Sequence, residues 1–222
     1  MASTPKRIGT ADRLGPEKWT KAALVAIAEK GAANVSVERL ARELGTTKGS
    51  FYWHFNDRSA LIEAALRQWE TDYTERIIER LEGVADPRAR LRMLLASTFE
   101  DHPGVLIDVN LLAAGNDAAV GAALERVARK RLAFVDRIFA ELQTAGGSDR
   151  ALLAILAFSG YMGLAQLRRT APSLAPSGAR TTPYVDHAIA WLLSGRPDCA
   201  GSPRRFASQP STPANVSTIW ST

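Results

Sequence analysis

Residues 36–58 read SVERLARELGTTKGSFYWHFNDR, and this stretch decides the fold. The Ser36 hydroxyl can cap a helix that turns Val37, Leu40, Ala41 and Leu44 inward and leaves Glu38, Arg39, Arg42 and Glu43 outside. Gly45 ends that helix in a left-handed turn that excludes most side chains. Thr47 then caps a second helix, running to about Phe55 and anchored by Phe51 and Phe55. A small residue, a glycine four positions on and an apolar anchor six beyond it describe a helix-turn-helix, although a plain helical hairpin shows the same three positions. The second helix separates the two readings. It offers Thr46, Thr47, Lys48, Gly49, Ser50, Tyr52, Trp53 and His54: short hydroxyls, a cation and aromatics with polar edges, groups that reach phosphates and base edges. Trp53 and His54 either pack or touch a base. Glycine inside a helix costs about 1 kcal/mol against alanine, and a backbone that must lie against another surface supplies a reason for Gly49. The start of this helix also presents free amides suited to phosphate.

Working outward, helical periodicity recurs on both sides and convincing strand alternation is missing, so the chain reads as all-α. Pro16 opens a helix with Trp19, Ala23, Ala26 and Ile27 on one face, and Gly31 stops it. Asp57 caps a helix that carries Leu61, Ala65, Trp69, Tyr73, Ile77 and Leu81, over six turns without a break. Pro87 and Pro103 open two more; residues 117–144 form a long one, ended by Gly146-Gly147. Residues 149–169 are apolar nearly all round, so part of their cover is expected from a second copy of the chain. A loop over 171–182 precedes a last helix over 183–194. The expected organisation is a basic leader (1–15), a helix-turn-helix domain (16–60), a helical body (61–195) and a disordered tail (196–222); from Gly195 onward, 14 of 28 residues are Gly, Pro, Ser or Thr.

Charge follows the same division. The net charge is +5: residues 1–60 hold ten Lys/Arg against six Asp/Glu, residues 61–195 fifteen against sixteen, and the rest three against one. A basic N-terminal quarter on a near-neutral body points to a polyanion at one end. The lone cysteine, Cys199, cannot make an internal disulfide, which excludes a disulfide-framed scaffold. The longest unbroken apolar runs, Ala22 to Ala28 and Ala151 to Phe158, fall short of the roughly 18 residues of a membrane span. The N-terminus has no apolar core of a secretory signal, so a cytoplasmic protein without membrane contact is expected.

The segment from about Trp19 to Leu61 resembles the DNA-binding domain of the TetR (tetracycline-repressor) family of bacterial regulators. The resemblance rests on Ala22-Ala23, Gly31, Val37, Leu40-Ala41 and Leu44-Gly45, then on Thr47, Gly49, Ser50, Tyr52, His54, Phe55 and Asp57. Two positions depart from the family pattern: Thr46 replaces a branched apolar residue, and Arg58 replaces a lysine that touches phosphate in relatives. The resemblance implies a homodimer, paired through helices 149–169 and 183–194, whose two recognition helices read a palindromic operator in double-stranded DNA. It places Ser36, Val37, Thr46 to Ser50, Tyr52 to His54 and Arg58 at the DNA. It also implies a ligand-binding body and, by the family's usual sign, a repressor released by a small apolar effector. Lys6, Arg7 and Arg13 either add backbone contacts or form a solvated leader.

Candidate effector contacts are Trp69, Tyr73, Phe99, His102, Leu106, Asn110, Phe134, Phe158 and Met162, aromatic, apolar or isolated polar residues on the middle helices. The run Arg126, Arg129, Lys130 and Arg131 reads as a solvated helix face. Neither a cofactor nor a metal is expected, because three scattered histidines and one cysteine supply no ligand spacing. Rival readings are a small-molecule-binding enzyme and a helical interaction module without DNA binding. The first lacks HExxH, GxSxG, GxGxxG and GxxxxGK[ST] patterns, and the second leaves Lys48, Gly49 and Tyr52 unexplained.

Overall fold

The computed structural model describes residues 14–99, 103–142 and 147–194. The basic leader, the tail with Cys199, and His102 fall outside the described residues, as does the side chain of Leu106. Ten α-helices and no strand occur among the described residues. They are α1 (Pro16–Lys30), α2 (Val37–Glu43), α3 (Lys48–Tyr52), α4 (Arg58–Glu70), α5 (Arg76–Glu82), α6 (Pro87–Ala96), α7 (Pro103–Ala113), α8 (Ala118–Glu141), α9 (Gly147–Thr170) and α10 (Thr181–Ser194).

Local chemistry sets the first four. Pro16 stands at the start of α1, and Gly31 ends it at φ +80°, where an L side chain is strained. Ser36 Oγ accepts from the Arg39 amide, Thr47 Oγ1 from the Ser50 amide and Asp57 Oδ1 from the Ala60 amide, so three capped starts fall within 22 residues. The turn between α2 and α3 is a Schellman closure. Gly45, at φ +64°, donates to the Arg42 carbonyl, and the Thr46 amide reaches back to Ala41 at 2.8 Å. Trp19 and Phe51 meet edge to face at 5.5 Å, Phe55 stacks on Phe51 at 5.6 Å, and the three pin α3 to α1.

This head cluster does not stop at α3. It continues through Leu61, Ile62, Ala65, Leu66 and Trp69 on α4, and takes in Ile107 and Leu111 on α7 and Val120, Ala123 and Val127 on α8. A second cluster joins Leu81, Leu91, Phe134, Ile138, Phe139, Ala154, Ala157, Val185 and Ile189 from α5, α6, α8, α9 and α10.

The unbroken helix expected from Asp57 to Leu81 is interrupted by a π-helical turn, Thr71–Glu75, between α4 and α5. The apolar residues from Leu61 to Leu81 recur every four positions, so on a 3.6-residue helix their stripe drifts by about 40° per step. The wider π turn takes up part of that drift and keeps Tyr73 and Thr74 facing the body. Helix α9 also differs from expectation. Its unbroken apolar runs are short, yet Asp149–Thr170 is long and apolar enough to cross a membrane, with a mean hydropathy of 1.4. One face packs on α7 and α8. The other leaves Leu152, Ile155 and Leu156 about half exposed, beside Trp191 and Tyr184 of α10.

The turn geometry makes Gly45 costly to replace. Gly45→Ala should lower the unfolding free energy by about 1 kcal/mol, measured by urea denaturation, because alanine is strained at positive φ.

Candidate nucleic-acid interface and effector cavity

The exposed end of the head is built by the α2–α3 pair. Thr47, Lys48, Gly49, Tyr52, Trp53 and His54 are exposed, whereas Thr46 and Ser50 are half-buried. Tyr52 is 57 % exposed and Trp53 82 % exposed, high values for aromatic side chains. The helix is shorter than the expected run to Phe55: it ends at Tyr52, so Trp53 and His54 lie on the turn beyond it. A Cβ at Gly49 would meet, among the described residues, only Thr47 Oγ1, at 3.6 Å, so none of them requires glycine there. Lys48 reaches across to α2 and pairs with Glu38, whose carboxyl is held below its ordinary range by that hydrogen bond.

Two expected DNA contacts have other surroundings. The Val37 side chain is buried in the head core, so it is withheld from a duplex, while Ser36 beside it is engaged as the cap of α2. Arg58, expected at a phosphate, turns inward: Nε donates to the Val35 carbonyl at 2.7 Å and a terminal nitrogen donates to Ala32. The planar guanidinium fits two carbonyls of the α1–α2 connection and staples it to the start of α4, a task one ammonium could not share in the same way.

The body contains a narrow cavity of about 60 Å³. Apolar lining comes from Ile77, Ile78, Leu91, Leu94, Leu95, Phe134, Val135, Ala157 and Phe158, and polar lining from Tyr73, Thr74, Ser97, Asp108, Arg131 and Tyr161. Of the nine residues expected at an effector, Tyr73, Phe134 and Phe158 line it. Trp69 and Met162 line an adjoining cleft, separated from it by Asp108, Arg131 and Phe158, which border both. Phe99 instead packs edge to face on Tyr184, under the Arg168 guanidinium. Asn110 is half-buried and borders neither space.

The polar wall is where sequence reasoning missed most. Asp108 is 2 % exposed and accepts from four donors. These are Trp69 Nε1 at 3.0 Å, the Tyr161 hydroxyl at 2.8 Å, and two nitrogens of Arg131 at 2.6 and 3.3 Å. Arg131 also donates to Thr74 Oγ1 and to the Tyr73 carbonyl, each at 3.0 Å, and lies over the rings of Trp69 and Tyr161. Burial opposes the Arg131 charge, but the Asp108 carboxylate holds its pKa above the ordinary value. Burial, with the same carboxylate beside it, pushes the Tyr161 hydroxyl up.

Arg131 is therefore not part of a solvated face, as its run of charges suggested. Its spacing carried the signal: it follows Val127 by four and precedes Phe134 by three, on the apolar stripe of α8. Asp108 shared the apolar surroundings that drew attention to Asn110 two residues away. The neighbouring charges divide. Arg129 pairs with Glu125 in solvent, while Arg126 and Lys130 both reach Glu70, 6 % exposed at the end of α4.

Residues 20–65 match the family described as "Bacterial regulatory proteins, tetR family". The "Uncharacterized HTH-type transcriptional regulator YvdT" of Bacillus subtilis is 33% identical over 94 residues, 41% of this chain and 48% of that protein. The "HTH-type transcriptional regulator BetI 2" of Chromohalobacter salexigens is 33% identical over 86 residues, 38% of this chain and 42% of that protein. The matched stretches thus span less than half the length of these relatives. Solved structures share the fold over most of the chain. Escherichia coli NemR in its reduced form has a TM-score of 0.64 at 19% identity, covering 81% of this chain and 95% of that one. FadR of Bacillus subtilis, solved in complex with stearoyl-CoA, has a TM-score of 0.63 at 16% identity, covering 82% and 100%.

Removing one member of the Asp108–Arg131 pair strands a buried charge. Arg131→Met should lower the unfolding free energy by about 3–5 kcal/mol. Arg129→Met, which removes one solvent-exposed pair with Glu125 four positions back, should stay within about 0.5 kcal/mol of the wild type in the same urea titration.

Proposed function

We propose that this chain, whose N-terminal residues belong to the TetR family of bacterial regulatory proteins, is a ligand-responsive transcriptional regulator that binds a palindromic operator as a homodimer. The observation that carries the reading is the exposed face Thr47–His54, which presents hydroxyls, a cation and two large aromatics with polar edges on a rigidly capped turn. Exposed aromatics of that size are expensive on an isolated protein surface and sensible against base edges and sugars. Lys48 supplies a phosphate partner once it exchanges Glu38 for the duplex.

Two such faces require two copies. Leu152, Ile155 and Leu156 of α9, with Tyr184 and Trp191 of α10, form an exposed apolar face. On α9 the open positions Gly160 and Gly163 extend it, where an added Cβ would meet none of the described residues within 4 Å. A second copy covers that face better than a bilayer does. The opposite side of α9 is committed to α8 and carries Tyr161, hydrogen-bonded to a buried carboxylate. Two-fold pairing of these helices sets two recognition helices on one side of DNA, roughly 34–36 Å apart on successive major grooves. Such a protein works where the chromosome is, in the bacterial cytoplasm.

An effector in the body shifts this spacing through α4. The present cavity holds only a few waters at roughly 10–15 Å³ of such space each, so a larger occupant must part the helices around it. Trp69 holds Asp108 of the polar wall from behind, the π turn of the α4–α5 segment supplies Tyr73 and Thr74 to that wall, and Arg58 at the other end of α4 is stapled to the head. A small, largely apolar effector that prefers the parted arrangement lowers operator affinity by no more than its preference for that state, which is the action of a repressor released by ligand.

DNA selected from a random pool should show a palindrome with one-turn half-site spacing. Lys48→Ala and Tyr52→Ala should each weaken binding to the selected site, with helicity and dimer mass unchanged. The slope of log affinity against log salt should be roughly −4 to −8, at about −0.9 per neutralised phosphate. Salt-independent binding, or a pool without a common sequence, contradicts the proposal.

A further inference from the structure

The polar wall of the cavity restricts the charge of what can occupy it. Asp108 and Arg131 cancel each other, and the carboxylate already accepts from Trp69, Tyr161 and two Arg131 nitrogens. No carboxylate oxygen is left with an open side for a cationic ligand. Four of the five guanidinium N–H groups are likewise committed, to Asp108, Thr74 and the Tyr73 carbonyl, and Tyr161 lies against the same group. An anionic ligand that pairs with Arg131 must compete with Asp108 for its charge, which puts two negative groups together in an apolar enclosure. A cationic ligand would have to displace Arg131, with the mirror-image result. Both exchanges strand a buried charge.

The hydroxyls at the cavity have a direction. Tyr161 spends its hydrogen on Asp108, and Ser97 spends its own on the Leu94 carbonyl at 2.7 Å. Each oxygen keeps acceptor capacity, so the wall can receive a hydrogen bond from an occupant. Thr74 Oγ1 accepts from Arg131, Tyr73 adds a further hydroxyl, and the lining is otherwise aliphatic and aromatic.

Resting on the reading of this cavity as the effector site, we infer that its ligand is an uncharged, mainly apolar molecule with one hydrogen-bond donor, such as a hydroxyl or amide N–H, directed at the Tyr161 or the Ser97 oxygen. Carboxylates and amines of the same shape are excluded by the self-neutralised pair rather than by size. Asp108 thereby sets ligand charge while making no bond to the ligand.

The test uses the full chain at pH 7.5 with three probes of one length: 1-octanol, octanoate and octylamine. The latter two are charged at that pH. Calorimetry and thermal melting should show binding of 1-octanol, with the two charged probes at least about tenfold weaker. Asp108→Asn leaves the Arg131 charge uncompensated and should invert the order, so that octanoate binds more tightly than 1-octanol. Should that variant not fold, the wild-type series decides alone. Octanoate or octylamine binding the wild type as tightly as 1-octanol overturns the inference. Ala157→Leu, which narrows the cavity, separates the two levels. If it weakens a bound charged probe, the cavity is the site and only the charge rule fails. If 1-octanol binding survives it unchanged, or if none of the probes binds, the cavity reading falls with the charge rule.

Discussion

The indole N–H of Trp69 donates to Asp108, and through that bond the helix that closes the head is fixed to the centre of the body. Helix α4 is common to both halves. Its first turns complete the core beneath the recognition segment, where Leu61 and Ile62 join Trp19, Phe51 and Phe55. Its last turn carries Trp69 and Glu70, which are buried against α7 and α8. A displacement of the Asp108 cluster reaches the head through Trp69 on α4 and through α7 itself, whose Ile107 and Leu111 join the head core. Interior packing is too dense to absorb such a shift locally.

The cluster is also a constraint on stability. Four elements meet at one carboxylate: α4 through Trp69, the π turn through Thr74 by way of Arg131, α8 through Arg131 and α9 through Tyr161. A buried ion pair adds little net stability compared with apolar residues of the same volume, but it penalises every arrangement in which its hydrogen bonds are not all made. This suits a switch, because the body then has few intermediate arrangements between the closed one and another in which the cluster is rebuilt. The π turn is part of the same device, since it brings Thr74 to Arg131 in a helix whose apolar stripe would otherwise drift away.

What could be read from the sequence was chiefly local. Ser36, Thr47 and Asp57 announce their helix starts because a cap is decided by residues three apart, and Gly45 announces its turn because positive φ is a property of one residue. The exposure of Tyr52 followed from the position of its neighbours Phe51 and Phe55 on the buried side, whereas that of Trp53, open between packing and a base in the sequence, needed the helix end at Tyr52. The contents of the cavity wall depend on contacts 23 to 58 residues apart, which no local pattern encodes. Arg131 was legible by its position on the stripe but was obscured by the charges around it. Arg58 was assigned to phosphate by resemblance alone; its inward staple needed the α1–α2 carbonyls to be in place. The π turn left one trace, the strict four-residue spacing from Leu61 to Leu81.

The central claim is that α4 transmits the state of the Asp108 cluster to the recognition face. It is tested most directly by operator affinity with and without a saturating cavity ligand, in the wild type and in Trp69→Phe, which keeps the ring and removes the indole donor. Ligand should weaken wild-type binding at least about tenfold, within the usual range of coupling between sites. In Trp69→Phe the ligand should still bind, yet change operator affinity less than about threefold, the coupling having been lost with the bond. An equal ligand effect in both proteins would contradict the account.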